Sequence, residues 1–289
     1  MATKAATTKK KTTTTKKATV KAPAKATAPV TVKKTVVAAT ATTEAADSKS
    51  FEKAINDLAF WRALGFELLG TFLLAGAVLI TQETPLYVLF AVVAVVLIGA
   101  KISGAHINPA VSLGAFLTRR IGWVRLVGYL VAQVLGALLA LVVLNAFISG
   151  VPTPSASEAS LGVTAPTLFK AADISKASST ETWALVFTEL LGTGLLAVGA
   201  ASFLSKVRRG VTGISAAFTY GGATLVALLF AYTTASYFSA TAAINPALAL
   251  SLQAVKFNWT DIAVYIIAPL VGGILGFWVF DALAGRDNK

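Results

Sequence analysis

The chain has 289 residues, is 56% hydrophobic and carries a formal net charge of +12. With no cysteine and one histidine, it has no disulfide or thiolate metal site and little material for a catalytic metal or a nucleophile relay. Eleven lysines against Glu44 and Asp47 lie within residues 1–50, so most of the net charge belongs to one end and the remaining body is nearly balanced.

Residues 1–50 are almost entirely Lys, Ala, Thr, Val and Pro, with no aromatic. Such a composition buries too little surface to offset the entropy of ordering, and this tail is expected to be disordered. No secretory signal pattern is visible, because the first apolar stretch begins near Ala59. Six apolar spans are then predicted, over 59–80, 84–100, 122–148, 183–204, 213–232 and 260–284. Residues 84–100 and 213–231 hold no charge at all, which a soluble helix with a wet face does not tolerate. Two further apolar segments, 109–117 and 246–255, are about half a membrane thick. Basic clusters fall in the tail, at Arg119, Arg120 and Arg125, and at Lys206, Arg208 and Arg209. Counting positive charge places both termini in the cytoplasm and the Ser/Thr-rich connection 151–182 outside.

The two half-length segments open with the same triplet, Asn108-Pro109-Ala110 and Asn245-Pro246-Ala247. Upstream of each stands a matching acid, in Phe66-Glu67-Leu68-Leu69-Gly70-Thr71 and in Thr188-Glu189-Leu190-Leu191-Gly192-Thr193. Downstream of each comes a Tyr and, seven residues later, a Gly: Tyr129 and Gly136, Tyr265 and Gly272. Four features in one order, twice, describe an internally duplicated membrane protein.

Asn is a preferred helix cap and Pro fits the first helical position, where no N–H is required. Each triplet therefore predicts a short helix starting within the membrane. The loops before them, 103–107 and 239–244, are non-helical backbone at membrane depth, which is permitted only where protein or a watery cavity satisfies it. Gly104, Ala105, His106, Ile107, Ala243 and Ile244 are expected to line such a cavity. Inverted duplication brings the two helix starts together at the midplane, giving a narrow passage with two amide donors and two positive helix ends. Such a centre orients water or a hydroxyl and opposes protons and cations.

Glu67 and Glu189 sit deep in their spans, where a lone charge costs several kcal/mol. Either each accepts hydrogen bonds from the loop of its own repeat, or they form a proton relay. Their identical repeat positions favour the first. His106 has no second ligand near it in sequence, and a packed or lining role is expected over pH sensing. No metal and no cofactor are expected. Gly70, Gly136, Gly192, Gly272, Gly273 and Gly276 predict close helix packing.

These motifs resemble the aquaporins of the major intrinsic protein family. The resemblance covers about 55–285 and rests on Glu67 to Thr71, on Ser103 to Ser112, on Glu189 to Thr193, on Ala243 to Ala247, and on Tyr129, Gln133 and Gly136. It implies an all-α integral membrane protein of six transmembrane helices and two re-entrant half-helices. It also implies a homotetramer in the cell membrane that passes water and small neutral solutes, and no enzymatic activity. The domains would be a tail over 1–50 and a channel over 51–289, with repeats at about 58–149 and 182–285.

One family position departs. Aquaporins usually follow the second triplet with Arg, which forms an outer filter with an aromatic of the second span; here Leu248 stands there. An ungapped count gives Val88 for the aromatic and Thr233 and Ala242 for the other two positions. Tyr232, Tyr237 or Phe238 would refill the space in another loop register. Glycerol facilitators place Asp two residues past the motif's Ala, where this chain has Ala249. Two other readings remain: an inverted-repeat secondary transporter, and a channel whose basic tail also binds anionic lipid or nucleic acid.

Overall fold

The computed structural model describes residues 51–81 and 84–285, so the expected basic tail lies outside the described residues. After one helical turn at 51–55 come α1 (Leu58–Thr81), α2 (Pro85–Gly99), the half-helix α3 (Pro109–Leu117) and α4 (Trp123–Ser149). A short α5 (Ala156–Ser160) leads into α6 (Ser179–Arg208), α7 (Ile214–Ser236) and the second half-helix α8 (Pro246–Ser251). The chain closes with α9 (Trp259–Ile262), a π turn (Ala263–Ile267) and α10 (Ala268–Ala284), which run on as one span. Five of these spans are long and apolar enough to cross a membrane, and α2, with 15 residues, is a shorter sixth.

Several boundaries differ from the apolar runs, for local reasons. Helix α6 starts four residues before its apolar run because Ser178 and Glu181 form a capping box, and it ends late on Lys206 and Arg208, which suit the negative helix end. The same box, from Ser155 and Glu158, starts α5 inside the connection 151–182, where no helix was expected. Helix α8 stops at Ser251 rather than continuing to 255, and Gln253 turns the chain at φ 56°. The π turn precedes Pro269, whose missing N–H cannot complete a regular helical bond.

Two pairs of helices carry the duplication. Helix α1 packs on α4 as α6 packs on α10, while α2 packs on α7 between the repeats. The approach is backbone to backbone. A Cβ at Gly136 would lie 2.2 Å from the Leu68 carbonyl oxygen, and one at Gly272 would lie 2.2 Å from that of Leu190. Gly136→Ala and Gly272→Ala are each expected to destabilise the bundle by about 1–3 kcal/mol, the usual cost of overpacking. A lowered melting temperature in detergent would show it, and an unchanged one would mean that these helices separate freely. The half-helices are exchanged: α3 packs on α10 and α8 on α4, so each repeat's short helix is seated against the other repeat's last span.

Charge is distributed by end. Arg120, just past α3, makes a two-pronged pair with Asp281 near the end of α10, at 2.6 and 3.1 Å, and lies over the Phe277 ring. Phe51 stacks on Trp123 at this same end. At the opposite end the connection 151–182 is a strap rather than a free loop. The Phe169 N–H donates to the Leu79 carbonyl, that of Ala171 to Leu252, and that of Ala172 to the Thr241 hydroxyl. Asp173 pairs with Lys256 there, and that hydrogen-bonded ammonium holds its carboxyl well below the usual carboxylate range.

Candidate functional site

Each half-helix begins on its own asparagine. The Ala110 N–H donates to Asn108 Oδ1 at 2.9 Å, and the Ala247 N–H donates to Asn245 Oδ1 at 3.0 Å. Pro109 and Pro246 occupy the first helical positions, where their missing N–H costs nothing. With its oxygen committed to capping, each amide turns its nitrogen across to the other repeat. Asn108 Nδ2 donates to the Ile244 carbonyl at 3.0 Å, and Asn245 Nδ2 donates to the Ile107 carbonyl at 3.0 Å. The two triplets are thereby cross-bonded, side chain to backbone, in both directions.

Those carbonyls belong to strained residues. Ile107 and Ile244 lie at φ 46° and 43°, a left-handed conformation that a β-branched side chain rarely adopts. The strain is held from both sides. The carbonyl is fixed by the opposite asparagine, and the N–H by a carboxylate: Ile107 donates to Glu67 Oε2 at 2.7 Å, and Ile244 donates to Glu189 Oε2 at 2.7 Å. The preceding amides complete each bracket, His106 N–H on Glu67 Oε1 at 2.9 Å and Ala243 N–H on Glu189 Oε1 at 2.5 Å. Tyr129 and Tyr265 then tie the loop starts, donating to the carbonyls of Ser103 and Thr241.

The repeats diverge around the brackets. Glu67 also accepts from the Ser103 hydroxyl at 2.6 Å and from Gln133 Nε2 at 2.7 Å, and Gln133 reaches Ser112 as well. His106 Nδ1 lies 3.2 Å from Ser112 Oγ, its ring meets Tyr129 edge-on, and its carbonyl accepts from Tyr220. Gly104, at φ 90°, and Ala105, at φ 47°, turn the loop into this network, and the Ala105 N–H is held by Ser103 Oγ. In the second repeat Ala249 and Pro269 stand where Ser112 and Gln133 do, so Glu189 has two backbone donors instead of a side-chain network.

A narrow cavity runs beside the two asparagines. Leu74 and Val78 of α1, Val88 and Val92 of α2, and Leu196 of α6 form an aliphatic wall. Opposite stand Tyr220, Thr224, Leu228 and Tyr232, at a spacing of four along α7. Ile107, Ala243, Ile244 and Leu248 complete the lining, and none of the lining residues is charged. It leaves about 20 Å³ for the centres of water molecules, room for one or a few. Among the described residues no cluster of His, Asp and Glu is arranged for a metal ion.

Of the four residues expected at the outer filter, Val88 and Leu248 line this cavity. Thr233 does not: it is exposed on the outer face of α7, and Tyr232 enters the cavity in its place. The ungapped count could not know that α7 stays helical through Ser236, so helical register decides which side chain turns inward. Ala242 is buried in the loop but outside the lining. Leu74 and Leu196 were not singled out, although each lies seven residues past its bracket acid, a repeat signal that was there to be read.

Spans that exchange their half-helices around an uncharged buried passage define an integral membrane channel. Comparison with known proteins agrees. The model of the family described as Major intrinsic protein matches residues 81–280. Aquaporin TIP1-2 of Musa acuminata is 30% identical over 198 residues, 67% of this chain and 68% of that protein. The probable aquaporin AqpM of Archaeoglobus fulgidus is 30% identical over 196 residues, 67% of this chain and 73% of that one. The X-ray structure of the aquaglyceroporin from Plasmodium falciparum shares the fold, with a TM-score of 0.56 at 23% identity, over 78% of this chain and 96% of that chain. The chain belongs to the major intrinsic protein family, whose members are membrane channels for water or small neutral solutes and not enzymes.

Proposed function

We propose that the chain is a passive channel whose centre lies at Asn108, Pro109, Ala110, Asn245, Pro246 and Ala247. The reciprocal bonding of the two asparagines carries this reading. An amide nitrogen has two N–H donors, and the structure uses one of each across the repeats. The other is left for a passing oxygen, beside helix starts that disfavour cations. A coupled transporter needs an ion site near the midplane, but the carboxylates of Glu67 and Glu189 are engaged by loop amides. Val88, Leu248 and Tyr232 form the outer neck in this reading.

Arg120 and Lys206 share one end of the bundle, and positive-inside counting makes that end cytoplasmic, with both termini there. A homotetramer in the cell membrane, and a basic tail drawn to anionic lipid or nucleic acid, complete the proposal.

Two measurements test it. In proteoliposomes, water and small neutral solutes are expected to equilibrate without accumulating against a gradient. Asn108→Asp with Asn245→Asp places carboxylates where amide donors stood and is expected to admit sodium or potassium at least tenfold above wild type. Undiminished cation exclusion in the folded double variant would remove these asparagines from the pore centre.

A further inference from the structure

The cavity runs from a ring of Val78, Val88, Tyr232 and Leu248 at its outer end to Tyr220, about 18 Å further back along α7. Beyond Tyr220, toward the basic end of the bundle, the loop 103–107 leads from the exposed Lys101 to Asn108. This loop was expected to line the passage, as Ala243 and Ile244 of its counterpart do. The cavity meets Ile107 but not Gly104, Ala105 or His106. Tyr220 stands in the way. Its hydroxyl reaches across from α7 and donates to the His106 carbonyl at 2.9 Å. Its ring stacks on Phe203 of α6, with the centroids 5.8 Å apart, and both side chains are buried. In the outer half, by contrast, Tyr265 ties the loop at Thr241 without entering the lining.

Resting on the channel reading above, we propose that Tyr220 is a gate, closed in this structure across the inner half of the passage. A carbonyl in non-helical backbone at membrane depth needs a donor, from the protein or from the water of a cavity. At His106 the donor is a phenol that belongs to the lining row of α7, so the group that satisfies the loop also blocks it. Opening takes the hydroxyl off His106 and the ring off Phe203. The freed carbonyl then accepts from the permeant, so one hydrogen bond replaces another and the two states lie close in free energy. A hydrogen bond of ordinary strength shifts such an equilibrium about three- to tenfold. Asn108 and Asn245 keep their bonds across the repeats in either state, so cation exclusion does not depend on the gate.

The test uses the full chain in proteoliposomes, with water flow followed by stopped flow at several temperatures. Tyr220→Phe, which keeps the ring and loses the tie, is expected to raise water permeability per channel about three- to tenfold. Phe203→Leu, which removes only the stack, is expected to raise it about two- to tenfold. Tyr220→Ala is expected to raise it furthest and to flatten its temperature dependence, since no opening step then precedes permeation. Sodium and potassium are expected to stay excluded in all three. Phe218→Leu, on the exposed face two residues away, is expected to match wild type.

Wild-type water flow in folded Tyr220→Phe and Phe203→Leu overturns the proposal, and these two decide should the alanine variant not reconstitute. A fall in flow overturns it as well, since Tyr220 would then support the loop rather than close it. So does cation entry in any of the three, or an equal rise at Phe218. In each of those cases passive conduction stands. Wild type and Tyr220→Phe both conducting nothing above protein-free vesicles overturns the channel reading itself.

Discussion

Glu67→Leu, behind the lumen wall, is expected to abolish conduction and to lower folded yield more than any single replacement of a cavity-lining residue. The change removes the acceptor of the His106 and Ile107 amides, and takes one partner each from Ser103 and Gln133. A buried donor left unpaired costs about 1–3 kcal/mol. The two backbone amides alone therefore cost several kcal/mol, in a region with no solvent to replace the carboxylate. The consequence reaches the pore through backbone geometry. Ile107 holds φ 46° because both of its peptide groups are tied down, and without the bracket it relaxes toward an ordinary conformation. That moves its carbonyl away from Asn245 and shifts the cap of α3. Glu189→Leu is expected to do less, since only the Ala243 and Ile244 amides are stranded. Melting temperature in detergent and water permeability per reconstituted channel would rank the two. Wild-type values for Glu67→Leu would mean that the carboxylate does not hold the loop.

The paired motifs made the architecture readable before any coordinates. Asn followed by Pro encodes a helix start by itself, and finding it twice at half-membrane depth places the two short helices. Duplication is also what hid the asymmetry. Reasoning from one repeat to the other treats Glu67 and Glu189 alike, whereas Ser112 and Gln133 give the first a network that Ala249 and Pro269 deny the second. The inner face of α7 was illegible for a different reason. A span that is apolar all round has no polar stripe to show which side faces the lumen. Only the neighbours of Tyr220, Thr224 and Leu228 reveal that Tyr232, and not Thr233, continues their row. The strap was hidden likewise, because its hold on Leu79, Leu252 and Thr241 runs mainly through backbone groups that every residue carries.

Leu248→Arg is expected to reverse the character of the neck. Leu248 lines the cavity on the first turn of α8, and its backbone nitrogen lies 3.5 Å from Asn245 Oδ1, the side-chain oxygen that caps the helix. An arginine there would extend a long side chain across the ring toward Val88 and Tyr232, bringing five donors and a fixed positive charge. Two effects oppose each other. The donors replace hydration that the aliphatic ring strips away, which favours water, while the added bulk narrows an opening already near the width of one molecule. Water, with one non-hydrogen atom, gains from the first and is least affected by the second. Hydrogen peroxide and larger neutral solutes meet the narrowing in full. The variant is therefore expected to lower the peroxide-to-water permeability ratio about tenfold, with Val88→Phe deepening the loss by closing the ring from α2. Placing a cation within the membrane carries its own cost. Size-exclusion behaviour and melting temperature must accordingly match wild type before rates are compared. With folding intact, unchanged ratios for every solute would show that residue 248 does not stand at the constriction, and the limiting step would then have to be sought deeper, between the asparagines and the Leu74–Leu196 wall.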